Sequence, residues 1–273
     1  MTRVVPALPA ATVTLVRDTP GGVEVLLLQR NFQSGFMPGM FLFPGGAVDP
    51  GDCVASVLAR CAGLDDETAS AALGLPHGGL PYWAAAIRES FEEAGVLLAY
   101  DEQGALVNPG DGDRAVRFDE YRRKLNAGEH ALAAMLEPEG LHLAVDRLTY
   151  FGHWITPVSA PRRYDTRFFA AVAPAGQEAA PDNVEAIHHV WVRPRDAVER
   201  HRSGEYNMRT PTIRTLEQFL PFDSAHGLIA ALRTQNAVPA ILPRIGPKGE
   251  RLLPGDPGYD EVAAAEAQGQ WKT

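Results

Sequence analysis

Three glutamates at helical spacing are the residues of this chain best suited to chemistry. In the stretch Ala84–Val96, Glu89 and Glu92 lie three residues apart, and Glu89 and Glu93 lie four apart. Residues at these spacings are neighbours on the surface of an α-helix. Gly95 follows, where a helix that ends in a left-handed residue favours glycine. The opposite side of the predicted helix carries an apolar stripe of Trp83, Ile87, Phe91 and Ala94.

Clustered carboxylates repel one another, and the pattern has two interpretations. A hard, oxygen-seeking cation such as Mg²⁺ or Mn²⁺ would offset the repulsion. Alternatively, the glutamates form a solvated helix face on which Arg88 pairs with Glu92, because charged residues are mostly exposed. An upstream segment favours the cation. There, Leu42–Gly46 reads Leu-Phe-Pro-Gly-Gly and ends an apolar run with a turn.

The two segments together resemble the Nudix box, G-x5-E-x7-R-E-U-x-E-E-x-G-U, in which U is a bulky aliphatic residue. Gly46 matches the first glycine, and the second half is matched in register by Arg88, Glu89, Glu92, Glu93, Gly95 and Val96. Asp52 stands where the pattern has Glu, and Ser90 stands at a usually aliphatic position. The uninterrupted pattern would place its arginine at position 60, so the box carries an insertion of 28 residues.

A box interrupted in this way after Phe-Pro-Gly-Gly is similar to the coenzyme A diphosphatase branch of the Nudix family. His153–Pro157 and Arg163–Phe169 resemble the strands that follow the box there, and the resemblance covers roughly Ala11–Glu199. It implies a Nudix-type α/β/α sandwich with a mixed central sheet and extra helices. It also implies metal-dependent hydrolysis of a diphosphate, with coenzyme A or acyl-coenzyme A cut to 3′,5′-ADP and (acyl-)phosphopantetheine.

The resemblance assigns catalysis and metal binding to the box. Glu89, Glu92 and Glu93 would hold Mg²⁺ or Mn²⁺, which lowers the pKa of the water that attacks phosphorus. Arg88 would act with them by orienting a box carboxylate. Asp52 is a candidate outer ligand, although its side chain is one methylene shorter than that of Glu.

Substrate contacts are predicted at six positions, namely Arg30, Gly45, Gly46, Arg163, Arg167 and Glu185. Arg30 ends a predicted strand, where an arginine serves as a phosphate contact or as a strand-end charge. The two glycines permit positive φ or close backbone approach. Arg162, Arg163 and Arg167 would meet the 3′-phosphate of coenzyme A or pair with surface acids. Glu185 would add a metal or base carboxylate or be a strand-edge charge.

Composition limits the partners. The 273 residues are 45% hydrophobic and carry a formal net charge of −9, which argues against a duplex nucleic-acid binder because such a protein needs a basic surface. A small-molecule diphosphate must then be met by metals or particular arginines. No apolar run reaches the roughly 20 residues of a membrane span, and the N-terminus lacks a signal-peptide core. Cys53 and Cys61 form no metal or disulfide motif, which fits the cytoplasm.

A Nudix domain is predicted over residues 9–203, with an insertion at about 53–80 and a helical addition at about 113–136. Residues 204–273 are predicted to form C-terminal helices and an extended tail, whose docking on a second copy would make a homodimer.

The loop Asn31–Met40 carries Phe32, Phe36 and Met37, which either pack or line a ligand pocket. Strands are predicted at Ala11–Val16, Val23–Gln29, Phe41–Phe43, Val96–Ala99, Leu148–Thr156, Arg167–Val172 and Glu185–Val192. Further helices are predicted at Cys53–Cys61, Asp65–Leu73, Arg117–Leu125, Glu129–Met135, Pro194–Arg202, Arg209–Phe219 and Ser224–Thr234.

Three functions compete. The first is a diphosphatase for coenzyme A or its thioesters. The second is a diphosphatase for ADP-ribose, NADH or another nucleoside diphosphate derivative. The third is a Nudix-fold binding protein without turnover. The intact Arg-Glu-x-x-Glu-Glu argues against the third, since a pure binder need not keep the carboxylates.

Overall fold

The computed structural model describes residues 4–33, 38–129 and 132–269. Its strands are β1 (Leu8–Thr19), β2 (Gly22–Arg30), β3 (Phe41–Leu42), β4 (Gly45–Ala47), β5 (Ala99–Tyr100), β6 (His142–Leu143), β7 (Thr149–Ile155), β8 (Tyr164–Val172), β9 (Ala186–Val192), β10 (Ala240–Ile241), β11 (Arg244–Ile245) and β12 (Arg251–Leu252). Its α-helices are α1 (Ala55–Leu58), α2 (Asp66–Leu73), α3 (Leu80–Ala94), α4 (Gly112–Asn126), α5 (Ala133–Leu136), α6 (Pro194–Arg202), α7 (Thr210–Phe219), α8 (Ala225–Arg233) and α9 (Tyr259–Ala267).

An eight-stranded mixed sheet forms the centre of the molecule. Its strand order is β10-β7-β8-β1-β2-β3, while β4 also pairs with β1 and β9 with β2. The central pair β1–β8 and the edge pair β7–β10 are parallel, and the other pairs are antiparallel. The parallel pair β1–β8 brings the first strand beside a strand that follows the whole box, so both halves of the box meet one sheet.

Both faces of the sheet are covered by helices. Side chains alternate along a strand, so Phe168 and Ala170 of β8 face one layer while Phe169 and Ala171 face the other. Phe169 and Ala171 pack with α2, α3, α4 and α5 in one hydrophobic cluster. Phe168 and Ala170 pack with α6, α7 and α8 in a second cluster. The predicted α/β/α sandwich with a mixed sheet is therefore confirmed.

The insertion inside the box fixes the start of α3. Asp66 of α2 accepts hydrogen bonds from the backbone N–H groups of Gly78 and Leu80, both at 2.9 Å. Ser70 Oγ accepts the N–H of Gly79 at 2.9 Å. The first N–H groups of a helix have no intrahelical partner, so these side chains satisfy donors that would otherwise be unpaired. The insertion is thus a structural cap for the box helix.

Predicted elements on either side of the box helix differ from those observed. Of the predicted helix Cys53–Cys61, only α1 at Ala55–Leu58 is α-helical, because a 3-10 turn at Pro50–Cys53 precedes it. The predicted strand Val96–Ala99 reduces to β5 at its far end. The predicted helix Glu129–Met135 begins only at Ala133, and residues 130–131 lie outside the described residues.

The C-terminal tail is not simply extended. Strand β10 pairs in parallel with β7, so Ala240 and Ile241 lie beside His153 and Trp154. Strands β11 and β12 form a small antiparallel sheet, and α9 follows. The tail therefore docks on its own chain. Two-residue strands carry no periodicity, which is why the sequence did not reveal them.

The apolar side of α3 yields a first prediction. Phe91 is 1% exposed and meets Phe118 of α4 edge-on, with ring centroids 6.1 Å apart. Deleting a buried phenylalanine ring leaves a cavity and typically costs about 3–5 kcal/mol. We therefore expect Phe91→Ala to lower the free energy of unfolding by about this amount in urea denaturation. Val116→Ala, at a side chain that is 75% exposed, is the control and should leave the midpoint nearly unchanged. Equal midpoints for the two variants would contradict this packing.

Candidate active site

The glycine turn and the box helix touch directly. A Cβ atom on Gly46 would lie 2.4 Å from Glu89 Oε1, and one on Gly45 would lie 2.6 Å from the carbonyl oxygen of Ala11. The backbone N–H of Gly45 donates to Glu93 Oε2 at 3.0 Å. Neither glycine has a positive φ. Gly45 is therefore required because β4 passes too close to the backbone of β1 for any side chain, whereas Gly46 leaves room for the carboxylate of Glu89.

Arg88 uses all five of its N–H donors. Its Nε and Nη2 bind Asp52 in a bidentate pair at 2.9 and 3.0 Å. Its Nη1 donates to Glu89 Oε1 at 2.9 Å and to Glu92 Oε2 at 2.8 Å. Its Nη2 also donates to the carbonyl oxygen of Ala47 at 2.8 Å. The predicted orienting contact of Arg88 with box carboxylates is present, and it reaches two of them.

Asp52 occupies the box position where the family pattern has Glu. Its side chain is fully buried and is spent on Arg88 and on the backbone N–H of Asp49 at 2.8 Å. The shorter Asp reaches the guanidinium edge-on, which is the geometry of a strong carboxylate–arginine pair. Asp52 therefore positions Arg88, and this placement argues against the predicted role of outer metal ligand.

The box glutamates Glu89, Glu92 and Glu93 do not form a solvated face. Glu89 is only 8% exposed and Glu93 only 5%. Burial raises the pKa of Glu89 to about 7 against the opposing charge of Arg88. Burial, and then the charge of Glu89, raises the pKa of Glu93 well above its usual range. Burial also raises the pKa of Glu92 despite its contact with Arg88. These carboxylates therefore lie in a setting with too little positive charge.

The box glutamates fit a hard divalent cation in kind, since they offer only carboxylate oxygens. Each has one oxygen bound, by Arg88 for Glu89 and Glu92 and by Gly45 for Glu93. In the described ranges, no three or more His, Cys, Asp or Glu side chains converge as a metal cluster. The oxygens left for a cation would be those not bound by Arg88 or Gly45.

A cleft of about 1090 Å³ opens beside the box and runs across the sheet face opposite to α3. Residues predicted as substrate contacts line it at four positions, namely Arg30, Gly45, Gly46 and Glu185, together with Glu89 of the box. The lining also includes Arg162, Thr166, Phe168, Arg209, Thr210, Pro243, Ile245 and Arg251.

Arg30 and Glu185 stand together at one edge of this cleft. Arg30 Nη2 lies 3.2 Å from Glu185 Oε2, and the backbone of Glu185 accepts the N–H of Asn31 at 2.8 Å. The charge of Glu185 contributes to the raised pKa of Glu93, and that of Arg30 opposes it. Arg30 and Glu185, both predicted from the sequence as site residues, therefore lie close to the box glutamates.

Arg163 and Arg167 occupy positions that argue against their predicted role as substrate contacts. Arg163 donates to the carbonyl oxygens of Thr156 and Val5, which ties two loops together. Thr166 and Phe168 of β8 face the cleft, so the intervening Arg167 points to the opposite face. There its guanidinium lies 5.8 Å from the ring centroid of Tyr82. The residue as a whole is only 3% exposed.

The apolar loop residues Phe32, Phe36 and Met37 were expected either to pack or to line a ligand pocket. Phe32 is 65% exposed and is not part of the lining. Phe36 and Met37 lie outside the described residues. The apolar surface of the cleft comes instead from residues such as Phe168, Pro243 and Ile245.

Sequence reasoning missed two groups of functional candidates. Arg122 and Asn126 of α4 donate to the backbone carbonyl of Glu92, at 2.9 and 3.2 Å, and so hold the end of the box helix. Arg209 and Arg251 line the cleft from the C-terminal part of the chain. Neither group lies in a motif or near the box in sequence, and no local signal could have identified them.

An enzyme of the Nudix hydrolase type is the class that this fold and this box define. The family model described as "NUDT19 Nudix domain" matches residues 60–219. The chain therefore belongs to the NUDT19 Nudix domain family.

Named relatives agree with the family. Proteins called acyl-coenzyme A diphosphatase NUDT19 are 29% identical in Gallus gallus, over 92% of this chain and 79% of the relative, and 28% identical in Homo sapiens, over 88% and 73%. The crystal structure of a NUDIX hydrolase from Alicyclobacillus acidocaldarius is 29% identical and superposes with a TM-score of 0.70, over 86% of this chain and 99% of the other. Within residues 4–33, 38–129 and 132–269, no helix is both long enough and apolar enough to cross a bilayer.

The buried pair of Arg88 and Asp52 yields a second prediction. Removing one partner of a buried ion pair leaves the other charge poorly compensated and costs about 3–5 kcal/mol. We expect Asp52→Asn to lower the free energy of unfolding by about 3 kcal/mol, measured by urea denaturation at neutral pH. The matched surface change is Glu24→Gln, which breaks the pair of Glu24 with Arg17 at 2.7 Å. That change should cost less than about 1 kcal/mol. Similar losses in both variants would contradict a central role for Asp52.

Proposed function

We propose that this protein hydrolyses the diphosphate bond of coenzyme A or acyl-coenzyme A, releasing 3′,5′-ADP and phosphopantetheine or its acylated form. The observation that carries this proposal is the juxtaposition of the buried box glutamates with a large cleft lined by both arginines and apolar residues. The names of the relatives from Gallus gallus and Homo sapiens point to the same substrate.

The character of the cleft supports a substrate of this kind. Coenzyme A combines a diphosphate, a third phosphate on the ribose and a long arm that is partly apolar. The cleft presents guanidinium groups, with Arg30 near the box, and apolar surface from Phe168, Pro243 and Ile245. Arginine binds phosphate through a fixed fork of donors, and apolar side chains shield the arm from water. A ligand with only one charged end would leave part of this lining unused.

We assign the box residues to the following roles. Glu89, Glu92 and Glu93 hold Mg²⁺ or Mn²⁺, and such an ion neutralises diphosphate oxygens and makes bound water a better nucleophile. Arg88 keeps Glu89 and Glu92 in place through its Nη1 contacts. Glu89 is the box glutamate that lines the cleft, so it lies nearest to the substrate. The backbone N–H of Gly45 orients Glu93.

Neutralising the box glutamates tests these roles. Gln matches Glu in size and keeps an oxygen acceptor for Arg88 or Gly45, so the fold should survive in Glu92→Gln and in Glu93→Gln. The loss of negative charge weakens the cation site, and we expect kcat to fall by about two orders of magnitude or more at saturating Mg²⁺. The measurement is the steady-state rate at which 3′,5′-ADP is released from coenzyme A.

A matched control is Glu199→Gln on α6, which is exposed and lies outside the cleft. It should retain the wild-type kcat. Chelation with EDTA should abolish wild-type turnover, and added Mg²⁺ or Mn²⁺ should restore it. Near-normal kcat in both box variants would remove the assignment of the metal to these glutamates.

A substrate panel tests the proposed specificity. We expect kcat/KM for coenzyme A and acetyl-coenzyme A to exceed that for ADP-ribose and NADH by about tenfold or more, because only the former fill both the charged and the apolar parts of the cleft. The products should be 3′,5′-ADP and a phosphopantetheine, identified by mass spectrometry. Preference for ADP-ribose or NADH would favour the second diphosphatase activity, and binding without turnover would favour a non-catalytic protein.

We also propose a cytoplasmic location and leave the homodimer as a prediction. Both cysteines are free thiols, and burial raises the pKa of Cys61 to about 12, which keeps it protonated and unreactive. The net charge of −9 supports the absence of a nucleic-acid partner. The tail that was expected to join two copies docks on its own sheet through β10. Sedimentation of the purified protein measures the oligomeric state.

A further inference from the structure

Two arginines from the C-terminal part of the chain stand side by side in the cleft. Arg209 directly precedes α7, and Arg251 opens β12. Arg251 Nη1 donates to Thr210 Oγ1, in the first turn of α7, at 2.9 Å. This bond fixes the guanidinium of Arg251 at the N-terminus of the helix. Arg209, Thr210 and Arg251 all line the same cleft as Glu89.

Neither guanidinium has an acidic partner in the described part of the chain. Some exposed arginines of this acidic protein pair with carboxylates, as Arg193 does with Asp196 at 2.8 Å. For Arg209 and Arg251, no carboxylate lies within 4.0 Å among the residues described. Two like charges therefore face one opening without compensation. An anion would remove this repulsion.

Further features at this point favour an anion. The first N–H groups of α7 have no intrahelical acceptor and carry the positive end of the helix dipole. The side chain of Arg209, which precedes the helix, makes no capping bond. Partial burial, and then the nearby charge of Arg209, lowers the pKa of Arg251. Helix, arginine pair and cleft all converge on one place.

We propose that Arg209 and Arg251 bind a phosphate monoester of the substrate that is remote from the bond being cut. This inference rests on the proposed function, under which the group is the 3′-phosphate of coenzyme A. It gives that phosphate a site different from Arg163, which binds backbone carbonyls, and from Arg167, which lies on the opposite face of the sheet. Arg30, near the box glutamates, is left for the diphosphate. Arg30, Arg209 and Arg251 all line the same cleft.

The kinetic test compares coenzyme A with 3′-dephospho-coenzyme A. Variants are Arg209→Gln, Arg251→Gln and the double change, in which Gln at 251 can still donate to Thr210. The control is Arg202→Gln, at an exposed arginine on α6 outside the cleft. Thermal melts of all variants check that the fold is retained.

We expect the wild type to prefer coenzyme A by about tenfold or more in kcat/KM, the range for a charge-assisted hydrogen bond that is partly screened by water. The double variant should lose this preference mainly through a higher KM for coenzyme A, because the contact is made in both ground state and transition state. Its kcat/KM for the dephospho form should fall far less. Arg202→Gln should keep the full preference.

Binding without turnover separates this inference from the proposed function. Calorimetry measures the affinity of wild type and double variant for 3′,5′-ADP and for 5′-AMP, which lacks the 3′-phosphate. Tighter binding of 3′,5′-ADP that disappears in the double variant supports the arginine site, even if coenzyme A is not hydrolysed and the proposed function fails. If coenzyme A is hydrolysed but its 3′-phosphate makes no difference, or the preference survives in the double variant, the site is overturned while the function stands. Equal affinity of the wild type for both nucleotides also overturns it.

Discussion

The burial of one guanidinium group determines how the site is assembled. Arg88 can lie inside the protein only if each of its N–H donors finds an acceptor, because an unpaired buried charge is strongly destabilising. Its acceptors come from three segments: Asp52 after the turn, the carbonyl of Ala47 in the turn, and Glu89 with Glu92 on its own helix. Satisfying one side chain therefore brings the two separated parts of the box together. This arrangement leaves a set of crowded carboxylates whose burial raises their pKa values.

Features set by local spacing could be predicted from the sequence. The box helix, its apolar side and its end at Gly95 are confirmed, since helical periodicity and left-handed glycine are properties of a few adjacent residues. Six of the eight strands of the sheet were also predicted, with ends that differ by a few residues, whereas the short β4 and β10 were not. The placement of Arg30 and Glu185 in the cleft followed from the family resemblance. For Asp52, by contrast, spacing identified the position but not the partner, because the choice between cation and Arg88 depends on contacts 36 residues away.

Features that depend on distant contacts could not be predicted. Arg163 and Arg167 carry the right charge for phosphate, but Arg163 is held by two backbone carbonyls before β8 begins. For Arg167, strand parity decides which face the side chain takes, and the sequence does not say which face holds the cleft. Arg209 and Arg251 are separated from the box by more than a hundred residues. They are brought to the cleft by α7 and by the β11–β12 pair. Arg122 supports the end of α3 from another helix. In each case a tertiary contact decides where the arginine side chain lies, and its charge alone does not reveal that position.

The insertion inside the box shows why a motif can be split without losing its geometry. It lengthens the chain between Gly46 and Arg88 about threefold relative to the uninterrupted pattern. The entropy of closing a loop grows only with the logarithm of its length, at about 0.6 kcal/mol per doubling, so the longer connection costs about 1 kcal/mol. A hydrogen bond to a charged group contributes about 1.5–3 kcal/mol, and Asp66 alone accepts two at the start of α3. Distance along the chain is therefore free to vary between the two halves of the box, whereas their separation in space is not.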